Sequence, residues 1–376
     1  MYSPCTQQTD SGRIVVVGGS IVDFYAKISS DDVELQGATY PGNVRQSFGG
    51  VGRNLADCLT RLGSNPLFIS ATGMDSNRTA FEAYCSHMDL SGVISLDNYN
   101  TATYCAVLRN NGELMFGIGD MEIHKQITPE YISQFDKNLA SASIVVLDGN
   151  IPVESIDYVT QICERNQIPV WYEPTDIHKA SKPFMTSAGQ RLTYISPNMN
   201  ELRAIYKALT NPKEARIGHS DPDSSAVDGI LDEALWLSKV IIEEVPVVIV
   251  TLGKHGVMLC QKTQQKKLPV RGRRLEKSEK MTAHIFPALN PKELAPEIVS
   301  VSGAGDCLAA TMIHGIVQGH DSDLCIKMGL MAARMSLKSY HAVPPTITSE
   351  DLTMEKVIEW APWQPEKVKD TYRTHK

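Results

Sequence analysis

The sequence lacks any apolar run long enough to cross a membrane. No hydrophobic stretch approaches the roughly 18 residues that indicate a membrane span. Residues 1–12 also lack the basic start and apolar middle of a secretory signal. We therefore expect a cytoplasmic protein that has no membrane partner.

A large excess of either charge is also missing. Lys and Arg number 36 against 43 Asp and Glu, which gives a formal net charge of -7. This balance gives no general reason to expect a polyanionic partner. The one basic stretch, 262–280, holds eight Lys or Arg and two Glu but has no interleaved aromatic residues. We interpret it as part of a solvated, Pro-interrupted insertion over 262–297, and we expect no nucleic-acid partner.

Cysteine motifs are absent as well. The eight cysteines form no C-x-x-C pair, and no His-x-His or His-Glu-x-x-His motif accompanies them. Reduced, buried thiols fit this pattern better than a disulfide framework or a zinc site. Cysteine chemistry is therefore not expected to carry the function.

Short β-branched runs alternate with amphipathic stretches from about residue 13 to residue 345. Each apolar run stops at Gly or Pro, which is typical of strands buried on both faces of a parallel sheet. We predict strands at 13–20, 67–70, 144–148, 169–172, 193–196 and 247–251. We predict helices at 53–62, 79–88, 155–165, 200–209 and 230–243. The pattern indicates one doubly wound α/β domain, a mostly parallel sheet flanked by helices, with a flexible N-terminus (1–12) and a C-terminal extension (346–376).

Two segments, 21–48 and 100–119, break this alternation. Both contain shorter alternating runs, and Asn111-Gly112 stands between two strand-like stretches as in a tight hairpin. We predict that the two segments form a small antiparallel sheet that projects from the main domain as a lid.

The most informative motif is Gly303-Ala304-Gly305-Asp306, which leads into an apolar helical pattern. A helix start exposes free N–H groups and partial positive charge, and glycines let a phosphate approach them closely. The amides of Ala304, Gly305 and Asp306 would form an anion hole, with Asp306 as the base for an attacking hydroxyl. A first-turn acid that only stabilises its helix is the alternative.

This motif and the run 48–56, which contains Gly49-Gly50, resemble the two signatures of the PfkB (ribokinase-like) carbohydrate and nucleoside kinases. The resemblance extends over about 13–345. It implies a ribokinase-like fold with a β-sheet lid, an ATP-dependent phosphotransfer to a sugar or nucleoside hydroxyl, and a requirement for Mg²⁺. The run 49–54 is most similar to the form found in the pseudouridine kinases of that family.

Further residues take roles from the resemblance. On the acceptor side, it implies that Asp23 and Asn54 hold ribose hydroxyls and that Gly49 and Gly50 admit the ligand. A nucleoside substrate also fits the predicted lid, in which Thr103 and Tyr104 would line a base pocket; core-facing strand residues are the alternative. On the nucleotide side, it implies that Asn198 and Glu201 organise Mg²⁺ and phosphates, and that Thr251, Gly253 and Gly256 form the turn over the ATP phosphates.

Two positions depart from the family pattern. Ser300 stands where many members have an aspartate that organises a monovalent-cation site, so dependence on such a cation is left open. Val51 stands where sugar kinases of the family often carry Lys, and Arg53 follows. We expect a substrate face that is less polar at residue 51 and more basic near residue 53.

Other functions were weighed against this one. A kinase for adenosine, ribose or another nucleoside shares the machinery, and a catalytically silent nucleoside-binding module would have no need of Asp306. A dinucleotide-binding oxidoreductase is disfavoured because Leu55 stands where the fingerprint over 50–55 needs Gly or Ala. No Walker A motif occurs. Because lid sheets form dimer contacts in some members of the family, a homodimer is possible.

Overall fold

A ten-stranded sheet organises the larger part of the chain. The computed structural model describes residues 12–30, 37–210, 227–276, 278–288 and 298–368. The strands are β1 (Val15–Val17), β2 (Ile21–Ile28), β3 (Gly42–Gly49), β4 (Leu67–Gly73), β5 (Gly92–Leu96), β6 (Thr103–Leu108), β7 (Leu114–Asp120), β8 (Val145–Asp148), β9 (Val170–Glu173), β10 (Tyr194–Ile195), β11 (Val247–Thr251), β12 (Val257–Gln261), β13 (Thr282–Phe286) and β14 (Glu366–Lys367). The large sheet has the order β14-β13-β12-β11-β10-β9-β8-β1-β4-β5.

The pairing confirms a mostly parallel sheet. From β5 to β11 every neighbouring pair is parallel, whereas β12, β13 and β14 extend one edge in antiparallel fashion. The helices are α1 (Val51–Arg61), α2 (Ser76–Tyr84), α3 (Pro129–Ile132), α4 (Asp136–Ser141), α5 (Val153–Asn166), α6 (Met199–Leu209), α7 (Val227–Glu244), α8 (Ala304–Val317), α9 (Ser322–Leu337) and α10 (Met354–Trp360). Within the described ranges, none of these is both long and apolar enough to cross a membrane.

Helices cover both faces of the large sheet because its strands are apolar on both sides. Val15 and Val17 belong to one hydrophobic cluster, together with residues of α5, α6 and α7. Val16 points the other way, into a second cluster built with α1, α8 and α9. This alternation follows from the two-residue period of a strand. It explains why continuous β-branched runs, rather than alternating ones, identified these strands.

The lid is a separate four-stranded sheet with the order β3-β2-β6-β7. The predicted antiparallel arrangement is wrong at its centre, because β2 and β6 run parallel. They belong to different segments of the chain, and each already has its antiparallel hairpin partner, β3 or β7, on its other side. Val44, Phe116 and Ile118 are exposed on the lid, and a homodimer stays a prediction.

In the described part of the insertion at 262–297, one segment is a sheet strand instead of the solvated loop that its charge suggested. Residues 282–286 form β13, which pairs with β12 inside the large sheet, and Leu268 is fully buried. Two of its basic side chains donate to backbone carbonyls of the main domain, Arg271 to that of Ser141 and Arg273 to that of Ile316. The C-terminal extension also joins the sheet, through β14. Residues 289–297 and 1–11 lie outside the described residues.

All seven cysteines in the described part of the chain are free thiols. Six of the seven are buried. This agrees with the expectation that no disulfide framework supports the fold.

Candidate active site

The site lies at the carboxyl ends of the parallel strands, where α/β sheets of this kind bind ligands. The buried carboxylate of Asp148, at the end of β8, lies at the base of the site. Its Oδ2 accepts hydrogen bonds from the backbone N–H groups of Gly19 (2.9 Å) and Gly52 (2.8 Å). Asp148 thereby joins the turn after β1 to the start of α1. Asp148 was not among the predicted site residues, although a polar residue at the end of an apolar strand is a sequence signal for a ligand site.

Asp23 lies on β2, at the base of the lid. Burial raises the pKa of its carboxyl group to about 7, against the lowering effect of the Arg53 charge. A side chain on Gly49 would place its Cβ only 2.1 Å from Oδ2 of Asp23. Gly49 is therefore required for the close approach of this carboxylate to the backbone. Gly50, which precedes α1, has a φ of 88°, a conformation that favours glycine.

Asn54 and Asp306 meet across the cleft. Nδ2 of Asn54, on α1, donates to Oδ2 of Asp306, on α8, over 2.5 Å. Burial raises the pKa of Asp306 to about 6; the Asn54 hydrogen bond and the Arg53 charge oppose this effect, and the Asp148 charge adds to it. Oδ1 of Asn54 is buried and has no hydrogen-bond partner in the described structure. The pair thus combines a carboxylate of near-neutral pKa with an amide oxygen that is free to accept.

The start of α8 has no side-chain cap. Gly303 precedes the helix with a φ of 81°, and a Cβ there would lie 2.1 Å from the carbonyl oxygen of Ala342. A Cβ on Gly305, in contrast, would meet nothing within 4 Å. Helix geometry leaves the first N–H groups, those of Ala304, Gly305 and Asp306, without intrahelical partners. These amides form an open, positively polarised end that suits an anion.

A cavity of about 540 Å³ adjoins this helix start. Its polar side includes four residues predicted to contact the nucleotide, and its far side is apolar. The polar residues are Asn198, Thr251, Gly253 and Gly256, and the apolar ones include Val301, Leu330, Ala333, Leu337 and Trp360. Lys254 and Arg334 also line the cavity. An apolar wall with cations near the anion pocket is suited to a base at one end and phosphates at the other.

Asn198 and Glu201 form a capping box at the start of α6. Oδ1 of Asn198 accepts from the N–H of Glu201 (3.0 Å), and Oε2 of Glu201 accepts from the N–H of Asn198 (2.8 Å). Burial raises the pKa of Glu201, and the negative charges of Asp176 and Asp306 add to this effect. Both predicted residues therefore have a structural role, whatever else they bind.

A further buried acid, Glu173 at the end of β9, lies close to these groups. Burial raises its pKa well above the usual value, and the charges of Asp306 and Glu201 contribute. The carboxylates do not converge into a metal-ligand cluster within the described residues. Their mutual repulsion nevertheless fits a Mg²⁺ ion that keeps most of its waters and is held mainly by phosphate oxygens.

The two expectations for the substrate face can be compared with the structure. Arg53 is fully buried, forms an ion pair with Asp57 (2.8 Å) and donates to the carbonyl of Phe48. Its charge nevertheless lowers the pKa of Asp23 and of Asp306, so its basic influence on the cleft comes from beneath the surface. Thr103 is in register with Val22, whereas Tyr104 is in register with Asp23. Because paired residues share a face of the sheet, Tyr104 lies on the Asp23 face and Thr103 does not.

A second, polar cavity of about 590 Å³ lies beside the base of the lid. His124 and Asn150, which line it, flank Gly19: a Cβ on Gly19 would approach both at under 3 Å. Lys179 and Lys182 also line it, and Nζ of Lys179 donates to Oδ1 of Asn150 over 3.0 Å. Sequence reasoning missed this cavity, since its residues come from three separate segments, 119–125, 150–154 and 179–182.

A carboxylate with a pKa near 6, beside an open helix start and a cavity of this size, is suited to the transfer of a phosphoryl group to an alcohol. Comparison with known proteins agrees. The sequence model of the pfkB family of carbohydrate kinases matches residues 11–348. The chain belongs to this family and is one of its carbohydrate or nucleoside kinases.

Individual relatives support the same class. Pseudouridine kinase from Arabidopsis thaliana is 26% identical over 352 residues, which cover 88% of this chain and 92% of the relative. Ribokinase from Bacillus subtilis is 24% identical over 337 residues, with 88% and 94% covered. The solved structure of Arabidopsis thaliana ribokinase complexed with ribose and ATP matches with a TM-score of 0.68 at 19% identity, covering 94% of this chain and 100% of that one. The predicted ribokinase-like fold is confirmed.

Proposed function

We propose that this chain is an ATP-dependent pseudouridine kinase, which converts pseudouridine and ATP to pseudouridine 5′-phosphate and ADP. The observation that carries the proposal is the Asn54–Asp306 pair beside the open start of α8. The likeness to the pseudouridine kinase of Arabidopsis thaliana supports the choice of substrate.

Asp306 is the general base in this proposal. A base works best when its pKa lies near the working pH, because it is then both deprotonated and able to hold the proton. Burial brings the pKa of Asp306 to about 6, close to that condition. The hydrogen bond from Asn54 fixes the direction of the carboxylate. The second oxygen of Asp306 then accepts the proton of the attacking hydroxyl.

The amides of Ala304, Gly305 and Asp306 receive the transferred phosphoryl group. They are preorganised by the helix, so no reorganisation is needed when negative charge develops there. The cavity beside them accommodates the rest of ATP, with Thr251, Gly253, Gly256 and Lys254 on the phosphate side. Mg²⁺ bound with the nucleotide would neutralise phosphate charge, and Glu201 is the carboxylate that would orient its waters.

Asp23 holds the ribose of the acceptor. Its carboxylate is mostly buried at the base of the lid, and two sugar hydroxyls that donate to it would stabilise its charged form. Tyr104 replaces Thr103 as the lid residue that lies on the acceptor side. Closure of the lid over the sugar would exclude water and limit the hydrolysis of ATP.

The polar cavity at the base of the lid favours a nucleoside over a bare sugar. Pseudouridine joins its base through carbon, which leaves one more ring N–H than uridine has. The carbonyl of the Asn150 side chain and the carboxylate of Glu154 are acceptors in this cavity. A base with an extra donor has partners here that ribose alone would leave unused.

The test is an ATP-consumption screen against pseudouridine, uridine, adenosine, ribose and fructose 6-phosphate, with products identified by mass spectrometry. We expect the highest kcat/KM for pseudouridine, with a clear preference over uridine. A preference for ribose or adenosine would replace the substrate while keeping the mechanism. Turnover with none of the five, together with nucleoside binding, would support a silent binding module instead.

Ribose is the second candidate acceptor. The matched ribokinase structure contains ribose and ATP, and Asp23, Asn54 and Asp306 contact only the sugar part in our proposal. Ribose phosphorylation would therefore need no change in these residues. The Glu154→Gln variant separates the two candidates, because Glu154 lines the polar cavity, whereas Asn150 also donates to Asp148 at the base of the sugar site. Glu154→Gln should lower kcat/KM for pseudouridine and leave that for ribose unaffected.

A further inference from the structure

Arg45 lies on the side of the lid that faces the site. It is on β3, directly opposite Tyr25 of β2. Tyr25 is two residues from Asp23 on the same strand, so the two share a face of the sheet. Arg45 therefore projects from the same face as the proposed ribose-binding carboxylate.

Two aromatic rings hold the guanidinium group of Arg45. Its central carbon is 4.4 Å from the centre of the Tyr340 ring and 5.9 Å from that of Tyr25. Tyr340 belongs to the segment 338–343 after α9, and the ring contact crosses from the lid to the main domain. Cation–π contacts of this kind orient a guanidinium without neutralising its charge.

Both rings also lie close to residues that border the anion pocket. The Tyr25 hydroxyl has the side chain of Ser302 as a hydrogen-bond partner. Ser302 precedes Gly303, and Gly303 packs against the carbonyl of Ala342, two residues after Tyr340. The guanidinium of Arg45 is thus held at the boundary between the lid and the start of α8.

The charge of Arg45 is not used elsewhere in the described structure. No carboxylate in the described ranges forms an ion pair with it, although its side chain is exposed. Arg53, the other arginine nearby, is buried and ion-paired with Asp57 (2.8 Å). Lys254 and Arg334, which line the nucleotide cavity, belong to the main domain. A cation on the lid would stabilise charge on the transferred group from the opposite side.

We propose that Arg45 is a catalytic residue that the lid brings to the γ-phosphoryl group, where its N–H groups bind the nonbridging oxygens. This deepens the proposed function and rests on it. In the step, the acceptor oxygen forms a bond to the γ-phosphorus as the bond to the β–γ bridging oxygen breaks. The hydroxyl proton passes to Asp306, and ADP leaves with the bridging oxygen. Arg45 forms no covalent bond and stabilises charge on the transferred group.

The Arg45→Met variant tests the proposal, because methionine keeps length and ring contact but removes the charge. Arg109→Met is the matched control, since Arg109 is exposed at the tip of the β6–β7 hairpin, outside the site. We expect kcat of Arg45→Met to fall by about 10²–10³, the range for loss of one charge-stabilising donor. Arg45→Lys should recover part of this loss, and Arg109→Met should match the parent.

Binding measurements separate a phosphate contact from a mere latch on the lid. Binding of a non-hydrolysable ATP analogue should weaken at least about tenfold in Arg45→Met, while the Kd for ADP and the KM for nucleoside stay within about twofold. Equal weakening of the analogue, ADP and nucleoside would show that Arg45 only holds the lid and would overturn the proposal. A kcat within threefold of the parent would overturn it too.

These measurements also distinguish this inference from the substrate assignment. The ratio of analogue to ADP affinity needs no acceptor, so it tests Arg45 even if pseudouridine proves to be the wrong substrate. In the converse outcome, the parent enzyme phosphorylates pseudouridine while Arg45→Met has the same ratio of analogue to ADP affinity as the parent. That result would keep the proposed function and would show that Arg45 has no part in it.

Discussion

Two helix starts face the same cavity, and they differ in how they use an acid at the third helical position. In α6 that acid is Glu201, which turns back to its own backbone and completes a box with Asn198. In α8 it is Asp306, which reaches across the cleft to Asn54. The first helix satisfies its own N–H groups, whereas the second begins at a glycine with no side-chain cap.

The difference shows how one structural element can serve as either scaffold or site. A closed helix start gains stability from its cap, about 1 kcal/mol in typical cases. An open start forgoes that gain and keeps its amides free for an anion. Asp306 also carries a burial cost, seen in its raised pKa, that a capping acid at the surface would avoid. A contact between this carboxylate and a ligand in the cleft would explain why the cost is tolerated.

The largest effect should come from removing the charge at α8. Asp306→Asn keeps the shape and an acceptor for Asn54 but cannot take a proton. We expect kcat to fall by about 10²–10⁴, as for loss of a general base. Binding of ADP, measured by calorimetry, should stay within about threefold.

The stability of this variant serves as its control. A carboxyl whose folded-state pKa is raised favours the folded state below its unfolded pKa of 3.8, and this contribution is lost as the pH rises through about 6. The neutral asparagine side chain has no such loss, so the variant should unfold no more easily than the parent at pH 8. Near-parent turnover would assign Asp306 to the fold alone and would end the contrast with Glu201.

A methyl group on Gly305 should block the anion pocket without harming the fold. Its Cβ would meet no atom within 4 Å, and alanine is favoured over glycine in a helix by about 1 kcal/mol. We expect Gly305→Ala to raise the thermal midpoint slightly while kcat falls by about tenfold to a hundredfold, because the methyl group stands where phosphate oxygens approach the amides.

The neighbouring glycine provides the opposite case. Gly303→Ala places a side chain at positive φ and against the carbonyl of Ala342, so it should lower the thermal midpoint as well as the activity. If Gly305→Ala were as active as the parent, the open amides would not be the phosphate site. Equal stability losses in both variants would show instead that the whole turn is structural.

The fold was largely predictable because buried parallel strands are continuous β-branched runs, and each of the six predicted ones has its counterpart in the large sheet. The glycine motifs likewise marked the starts of α1 and α8. The face on which a lid residue lies was not predictable, because one residue reverses it and only the partner strand sets the register. Thr103 failed for that reason. The burial of Arg53 was not predictable either, because it depends on the ion pair with Asp57, one helical turn away.

Long-range contacts limited the prediction of the rest. Asp148 acts on Gly19 and Gly52, which are 129 and 96 residues away in sequence. The basic composition of 262–280 indicated a solvated surface, but the following segment completes a sheet edge that β12 offers. The charged side chains of such a segment indicate which of its sides faces solvent, but they do not show whether its backbone pairs with a neighbouring strand.

The pH profile gives a smaller effect that depends on Asp306 alone. Since the base must be deprotonated and its pKa is about 6, log kcat at saturating substrate should rise with slope one up to about pH 6 and then level off. At pH 5 the rate constant should be about tenfold below the plateau. Log kcat/KM, which reports the free enzyme, should show a second inflection near pH 7, because Asp23 binds the sugar in its ionised form. A flat profile from pH 5 to 8 in the parent would contradict a base in this range, and the residual activity of Asp306→Asn should lack the lower inflection.

The smallest effect should come from α6, where the same chemical change meets a closed helix start. Glutamine also completes a capping box, so Glu201→Gln should leave the free energy of unfolding within about 0.5 kcal/mol of the parent. Asn198→Ala, which removes the cap, should lower it by about 1 kcal/mol in urea titrations.

If Glu201 orients the waters of Mg²⁺, the half-saturating Mg²⁺ concentration should still rise severalfold in Glu201→Gln, with kcat at saturating Mg²⁺ changed far less than in Asp306→Asn. A loss of stability in Glu201→Gln equal to that in Asn198→Ala would show that the charge, rather than the hydrogen bond, holds the box. An unchanged Mg²⁺ requirement would make α6 a scaffold only, and the contrast between the two helix starts would then be complete.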